Sequence, residues 1–535
     1  MFASDAICYP SAKPMTPPRV GRWRKSARRA VLATTATWLL AGLLIIGAPT
    51  PAMAATDITA AISVDVFSTD PTKFYAANDY LLMSNVYESL YGHDEKGTLV
   101  PTLATGVDVK DNGLTYEFAL RPNVKFHNGN AFTAEDVRFS WQKAIDPVRK
   151  WPRAGVLAAN IADVEIVNPL KVRIKLKNRD AGMLENLDTN LFMLSKKHVE
   201  GVGDAVFGDN PMGTGPFKFK ERKIKEYIVL EGFQGYWGKP PEINKLTLKI
   251  VTDESTRLSM IQAGEADIVD NVSPFLATRM KSIQNLKVIQ GPTLRNMYMM
   301  MSATGKNPRM KEEVRRTFMT LVDTEKMTKS VYLGFAKPAK LNCAPPGVGC
   351  TGTQSPRIDA KQAREILTKA GWDFSKPLNI YGMAAGFIPQ TRELIEALAQ
   401  RFSEAGVQSK ITLLEYAAWV PAEMDKNPDI DMIFTMFPDY SREPSGRLLR
   451  GMKSGSQFSW YEDPVLDGMI DKMNDFTDVA AREKHISGIY QRINDKAAVI
   501  PLWATDMIYV ARTDVQYTPT PNATWPVFKY MKKVK

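Results

Sequence analysis

From Leu114 to Leu120 apolar and polar residues alternate, with Leu114, Tyr116, Phe118 and Leu120 on one side of the pleat and Thr115, Glu117 and Ala119 on the other. That is the two-residue period of a half-buried strand. The period then changes. Asn128-Gly129 supplies a turn that tolerates positive φ, Thr133 stands as an N-cap with Asp136 three residues on, and Val137, Trp141, Ala144 and Ile145 recur at helical spacing until Asp146-Pro147. This predicts a helix beginning after Thr133 with a capping box at its start.

The same reading orders the rest of the chain. An apolar-rich strand over Ile58–Val66 leads to a helix over Asn78–Leu90 with a Leu82, Val86, Leu90 stripe, and Asp111-Asn112-Gly113 joins Val107–Val109 to the Leu114 strand as a hairpin. Val164–Leu176 reads as two short strands broken at Asn168-Pro169. Strands at Pro216–Lys220, Glu226–Glu231 and Leu246–Val251, a helix at Glu254–Ala263 and a strand at Asp267–Val269 predict one α/β lobe. A second α/β run starts near Leu294. Met297–Met301 reads as a strand buried on both faces, and Met310–Leu321 and Asp359–Ala370 as amphipathic helices, the latter capped by Asp359 and stopped by Gly371. Strand and helix then alternate through Leu378–Tyr381, Glu393–Phe402, Ile411–Leu414, Ala417–Met424 and Ile430–Phe437, with helices at Val465–Met473 and Ala480–Asn494 and strands at Val499–Trp503 and Ile508–Ala511.

Before any fold reasoning the amino terminus must be set aside. Arg22, Arg24, Lys25, Arg28 and Arg29 precede the apolar run Ala30–Ala48, and Ala52-Met53-Ala54 follows it. This is the layout of a secretory signal peptide over residues 1–54 cleaved after Ala54, with an uncleaved membrane anchor as the alternative. Residues 1–54 carry seven Lys and Arg against Asp5, a net of +6, which leaves about +5 of the chain's +11 for the remainder. That residue of charge is spread without a dense basic block, so nucleic acid is not an expected partner. Cys343 and Cys350 are then the only thiols left, enclosing a short Pro/Gly-rich loop, CAPPGVGC. In an oxidising compartment a local disulfide is expected. Two free thiols are the alternative, and a metal site is a distant third because no His lies nearby.

The chain's four histidines are scattered singly, and it carries no nucleophile elbow, zinc-protease helix or phosphate-binding loop. No cofactor and no enzymatic activity are therefore expected. The Met-rich run Asn296–Met301 reads as core rather than a soft-metal site.

The Leu114–Pro147 segment, Tyr87-Glu88-Ser89-Leu90, Gly213-Thr214-Gly215-Pro216-Phe217, Tyr236-Trp237-Gly238 and Gly264-Glu265-Ala266-Asp267-Ile268 together resemble, in order and spacing, the extracellular solute-binding proteins of family 5, the oligopeptide, dipeptide and nickel type that serves ABC importers. The resemblance implies an α/β periplasmic binding protein of type II, with two lobes and an extra domain hinge-linked around a central cleft. It implies a discontinuous first domain (55–87, 208–293 and 500–535), an extra domain (88–207) and a second lobe (294–499). In the peptide-binding branch, an aspartate after a matching strand pairs with the ligand's α-ammonium. That role maps to Asp439, with Met436 and Phe437 beside the ligand and Trp419 lining the cleft, although Met436 stands where that branch often has Trp. Tyr440 and Arg442 are candidates to complete the site, Arg442 by meeting a carboxylate, and Tyr75 is a candidate on the opposite wall. Without the resemblance, Asp439 and Arg442 read as a solvated turn and its surface partner.

The expected protein is a monomeric, periplasmic binding component that delivers a peptide or similar small amine-bearing solute to an inner-membrane ABC permease. Alternatives are the same role for an opine, nickel chelate, haem or oligosaccharide, an exported hydrolase, or a membrane-tethered sensor.

Overall fold

In chain order the strands are β1 (Asp57–Ile62), β2 (Tyr91–His93), β3 (Leu99–Pro101), β4 (Ala104–Lys110), β5 (Thr115–Leu120), β6 (Ile161–Asn168), β7 (Lys171–Leu176), β8 (Phe217–Lys223), β9 (Tyr227–Gly232), β10 (Lys245–Ile250), β11 (Ile268–Val269), β12 (Leu286–Met301), β13 (Ala336–Pro338), β14 (Leu378–Met383), β15 (Ser409–Leu414), β16 (Met432–Pro438), β17 (Val499–Arg512), β18 (Val515–Gln516) and β19 (Lys532–Lys533). This computed structural model describes residues 56–73, 79–146, 160–344, 347–384, 390–438, 443–456, 458–476, 478–521 and 526–534, excepting the side chains of 205, 416, 417, 437 and 438. The expected export signal, Tyr75, Asp439, Tyr440 and Arg442 lie outside the described residues.

Among the described residues one large mixed sheet runs β15-β14-β16-β12-β17-β11-β1-β10-β9-β8, with β13 paired to β17. Its two ends are built alike. β1 pairs in parallel with β10 and β11, and β14 pairs in parallel with β15 and β16. Parallel strands require crossover connections and covering helices, so each end is the nucleus of an α/β lobe. Between them β12 and β17 form a long antiparallel ladder. The ladder is interrupted once on each strand: Pro292 faces Asp506 but Asn296 faces Ala504, and Met297 faces Trp503 but Tyr298 faces Pro501. Such bulges bend and twist a ribbon locally, which makes this ladder the hinge between the lobes.

Each region has its own core. Ile58, Ile62, Leu82, Phe217, Leu246 and Tyr509 pack in the first lobe, and Met297–Met301, Phe318, Leu398, Phe434 and Trp503 in the second. Met297 through Met301 are buried on both strand faces, as the apolar run predicts. The extra domain is the antiparallel sheet β4-β5-β7-β6 with the helix Ala134–Ala144 laid on Phe118, Val164, Val172 and Ile174. Each such fully buried side chain contributes roughly 1.5–3 kcal/mol. The capping box forms as the sequence predicts, with Asp136 Oδ2 accepting from Thr133 N–H at 2.9 Å.

Three elements differ from their expected extents. The first helix spans only Tyr80–Val86, because Tyr87 turns to extended backbone where the Gly213–Gly215 segment crosses it. β12 is three times as long as its apolar third, Met297–Met301, since Gly291, Pro292, Thr293, Arg295 and Asn296 carry no strand periodicity. β17 is one strand, not two, because the polar stretch Thr505-Asp506 stays in the ladder.

The motifs shared across the chain converge on one joint between the first lobe and the extra domain. Glu88, 8% exposed, accepts from Tyr236 OH at 2.6 Å, Trp237 Nε1 at 2.8 Å and Thr214 Oγ1 at 2.9 Å. His127 donates from Nε2 to Gly215 O at 3.0 Å and accepts from Gly213 N–H at Nδ1 at 3.4 Å. A Cβ at Gly213 would lie 2.0 Å from Val86 O, and one at Gly215 2.7 Å from Val86 C, so the two glycines serve a close backbone approach. Arg121 stacks 4.2 Å over Trp237. Asp267 does similar work at the sheet, accepting from Thr59 N–H at 2.8 Å and Lys533 Nζ at 2.7 Å.

Candidate functional site

In open α/β sheets the crevice beyond the carboxyl ends of parallel strands is where ligands sit. In the first lobe those ends present Ser63 after β1 and Asp270 after β11. Asp270 Oδ1 accepts from Ser63 N–H at 2.8 Å and lies 3.9 Å from Arg257 Nε. Arg257 is itself tied to the carbonyls of Val251, Thr252 and Asn271 at 2.7, 3.0 and 3.2 Å. Burial pushes the Asp270 carboxyl up, and Arg257, the Ser63 hydrogen bonds and Arg295 of β12 oppose that shift. Arg295 sits in the hinge bulge, where Thr293 Oγ1 donates to Thr505 O at 2.6 Å and accepts from Arg295 N–H at 3.0 Å.

In the second lobe the strand next to β12 is β16. Its antiparallel register on β12 sets Met436 opposite Met297, Phe437 opposite Asn296 and Pro438 opposite Arg295. β16 therefore ends at Pro438, beside the β12 bulge at the hinge. Met436 and Trp419, the latter on the helix Tyr416–Asp425, are both buried in the second-lobe core, and Phe437 is placed by its backbone alone. One turn after Trp419, Glu423 Oε1 accepts from Thr435 Oγ1 at 2.7 Å. Burial raises its carboxyl to about 7, the Thr435 hydroxyl opposing. Behind the strand, Asn296 Nδ2 donates to Asn342 Oδ1 at 2.6 Å, and Arg447 Nη1 donates to Asn342 O at 2.6 Å. Asn342 precedes the disulfide Cys343–Cys350, whose Cα atoms are 5.7 Å apart.

The lobes also touch away from the hinge. Gly182, at the start of the helix Met183–Asn190 of the extra domain, meets the side chain of Glu443, just past the 439–442 segment.

Met436 and Phe437 thus lie on β16 next to β12, and Trp419 is buried in the core of the same lobe. Sequence reasoning did not single out Asp270, Arg257, Arg295, Glu423 or Glu443. The signals available were faint: Asp270 ends the strand of the Gly264–Ile268 motif, and Glu443 stands four residues beyond Asp439. No grouping of three His, Cys, Asp or Glu side chains able to hold a metal occurs among the described residues.

A sequence profile of the bacterial extracellular solute-binding proteins, family 5 middle, matches residues 98–456. The chain belongs to that family. This family 5 protein is accordingly a non-enzymatic substrate-binding component of an ABC transporter, which implies a membrane permease as partner. It is 29% identical over 411 residues to glutathione-binding protein GsiB of Salmonella typhimurium, covering 75% of this chain and 78% of that one. Its fold matches the ABC transporter substrate-binding protein CtaP of Listeria monocytogenes with a TM-score of 0.82 at 22% identity, covering 90% of this chain and 100% of CtaP. It also matches the periplasmic binding protein DppA of Helicobacter pylori, solved in complex with the peptide STSA, with a TM-score of 0.77 at 22% identity over 90% of this chain and 98% of DppA. The type II periplasmic binding protein architecture expected from the motifs is therefore the one this family 5 chain adopts. Proteins of this family work outside the cytoplasmic membrane, and among the described residues no helix is long and apolar enough to cross one.

Proposed function

We propose that this protein captures a short peptide, or a peptide-like solute with a free α-amine, between its lobes and hands it to the permease. The observation that carries the reading is the register of β16 on β12, which ends the strand at Pro438 opposite Arg295, one residue before Asp439 in the sequence. Asp439 pairs with the ligand's ammonium, Met436, Phe437 and Trp419 form the adjoining wall, and Tyr440, Arg442 and Tyr75 complete the cleft. A carboxylate shut away from water by closure is costly unless a cation arrives with the ligand, so a free amine is selected over a blocked one. Two relatives support the ligand class by name, one binding glutathione, itself a tripeptide with a free amine, and the other holding STSA.

The moving units in this reading are 55–87 with 208–293 and 500–535, carrying 88–207, against 294–499. Ligand shifts the population toward the closed form. A dissociation constant of roughly 1 μM, about −8 kcal/mol, suits capture followed by release. The mature protein is periplasmic and starts at Ala55, which mass spectrometry of the exported form checks.

The test is titration calorimetry with glutathione, the tetrapeptide Ser-Thr-Ser-Ala and its N-acetylated form. Asp439→Ala is expected to weaken the free peptides more than tenfold and to erase their advantage over the acetylated one. Equal binding of both forms by the wild type overturns the role of Asp439. Binding of a nickel chelate or opine in place of every peptide overturns the ligand class.

A further inference from the structure

Glu443 has its hydrogen bonds to Ser445 and Arg482 within its own lobe. Its Oε1 accepts from Ser445 N–H at 3.1 Å, from the Ser445 hydroxyl and from Arg482 Nη2 at 2.7 Å. Arg482 is fixed in turn by Met473 O at 3.0 Å and Asn474 Oδ1 at 3.3 Å. The buried ion pair is thus rigidly built before anything from the other lobe meets it.

The other lobe contributes a notch. A Cβ at Gly182 would lie 2.3 Å from Glu443 Cγ and 2.7 Å from its Cδ. Gly182 has φ −91° and ψ 9°, which any L-residue can adopt, so its backbone does not demand glycine. The vacancy left by the missing side chain is filled by Glu443 alone among the nearest atoms. The loop around it is also preset, with Asp180 accepting from Gly182 N–H at 3.0 Å and Asn186 Nδ2 at 2.9 Å, and with Asp180 O accepting from Tyr116 OH at 3.1 Å. A second contact crosses nearby, Arg179 Nη1 to Asp475 O at 3.4 Å. Burial raises the Asp180 carboxyl and the Glu443 charge adds to that shift, while the Asn186 hydrogen bond and Arg482 oppose it.

We infer that Glu443 is a positioning residue for solute capture: closure seats its Arg482-held side chain in the notch at Gly182, and this contact between the lobes favours the closed form that holds solute. The ligand-dependent part rests on the proposed function, but the contact itself does not. Glu443 touches the opposite lobe rather than the solute, so disturbing it should weaken every ligand by the same factor.

Two variants test this. Gly182→Ala crowds the notch while keeping the backbone, and is expected to weaken free and N-acetylated Ser-Thr-Ser-Ala alike by about tenfold. Its small-angle scattering should show the ligand-induced compaction diminished. Gly182→Cys/Glu443→Cys should cross-link under a mild oxidant without any solute, leaving the Cys343–Cys350 bond in place. Gly182→Ala that binds and compacts like the wild type overturns the inference, as does a double variant that stays folded by circular dichroism yet does not cross-link. A change in the ratio of free to acetylated binding for Gly182→Ala also overturns it, because that readout belongs to Asp439. Cross-linking in a protein that binds no peptide supports the closure contact and defeats only the peptide reading.

Discussion

Glu88 and Glu443 are equally buried, each 8% exposed, yet they are held in opposite ways. Glu88 has neutral donors drawn from distant segments, Thr214, Tyr236 and Trp237, so pulling the joint apart would strand a buried acceptor and its donors together. Glu443 is bonded to Ser445 and Arg482 of its own lobe, and the first lobe offers it a glycine notch. Separation there leaves the ion pair intact. The kind of partner therefore distinguishes a permanent joint from a contact built to open.

The sharpest way to break this contrast is to make one substitution at both places. Gly213→Ala forces a methyl group toward Val86 O at 2.0 Å, backbone against backbone, and is expected to cost more than about 3 kcal/mol of stability in urea unfolding. Gly182→Ala should cost less than about 1 kcal/mol, because the contact between the lobes can open without unfolding either of them. Similar losses at the two sites would erase the distinction.

A middle-sized effect probes the second lobe alone. Replacing Cys343 and Cys350 together by Ser opens the small loop beside Asn342, and about 2 kcal/mol should be lost. Calorimetry that also showed the Glu88 joint loosening would mean the two regions are not independent.

The smallest effect is a matter of sign. Burial raises the Glu423 carboxyl from its ordinary 4.5 to about 7, so the folded protein keeps a proton that the unfolded chain has released. Second-lobe stability should then fall as pH rises through that window, and Glu423→Gln should flatten the profile. In the first-lobe joint, burial lowers His127 from 6.5 to about 4, so there stability should fall as pH drops between those values. Opposite slopes in hydrogen-exchange protection of β16 and of residues 213–217 would show it.

How much of this was legible depends on whether the cause is local. The helix after Thr133, the hairpin at Asp111–Gly113 and the buried Met297–Met301 strand follow from period and caps that the structure repeats. The shared motifs were visible as strings, and the structure explains them as mutual partners: Glu88 needs the donors of Thr214, Tyr236 and Trp237, and Gly213 needs to be small for Val86. The hinge strands were read only in fragments, since Pro292 and Arg295 in β12 and Thr505-Asp506 in β17 break the apolar pattern at the place where the two lobes must bend. The Glu443–Arg482 pair has no local signal at all, because its members are 39 residues apart and their notch lies in another domain.

The bulge in β12 sets three residues, Thr293 to Arg295, against the single Thr505 of β17. That surplus of main chain turns the ribbon at one point while the rungs on either side, Pro292 to Asp506 and Asn296 to Ala504, stay tied. The extra loop is itself pinned, by Thr293 to Thr505 and by Arg295 to Pro438, so the seam between the jaws is crooked without being loose.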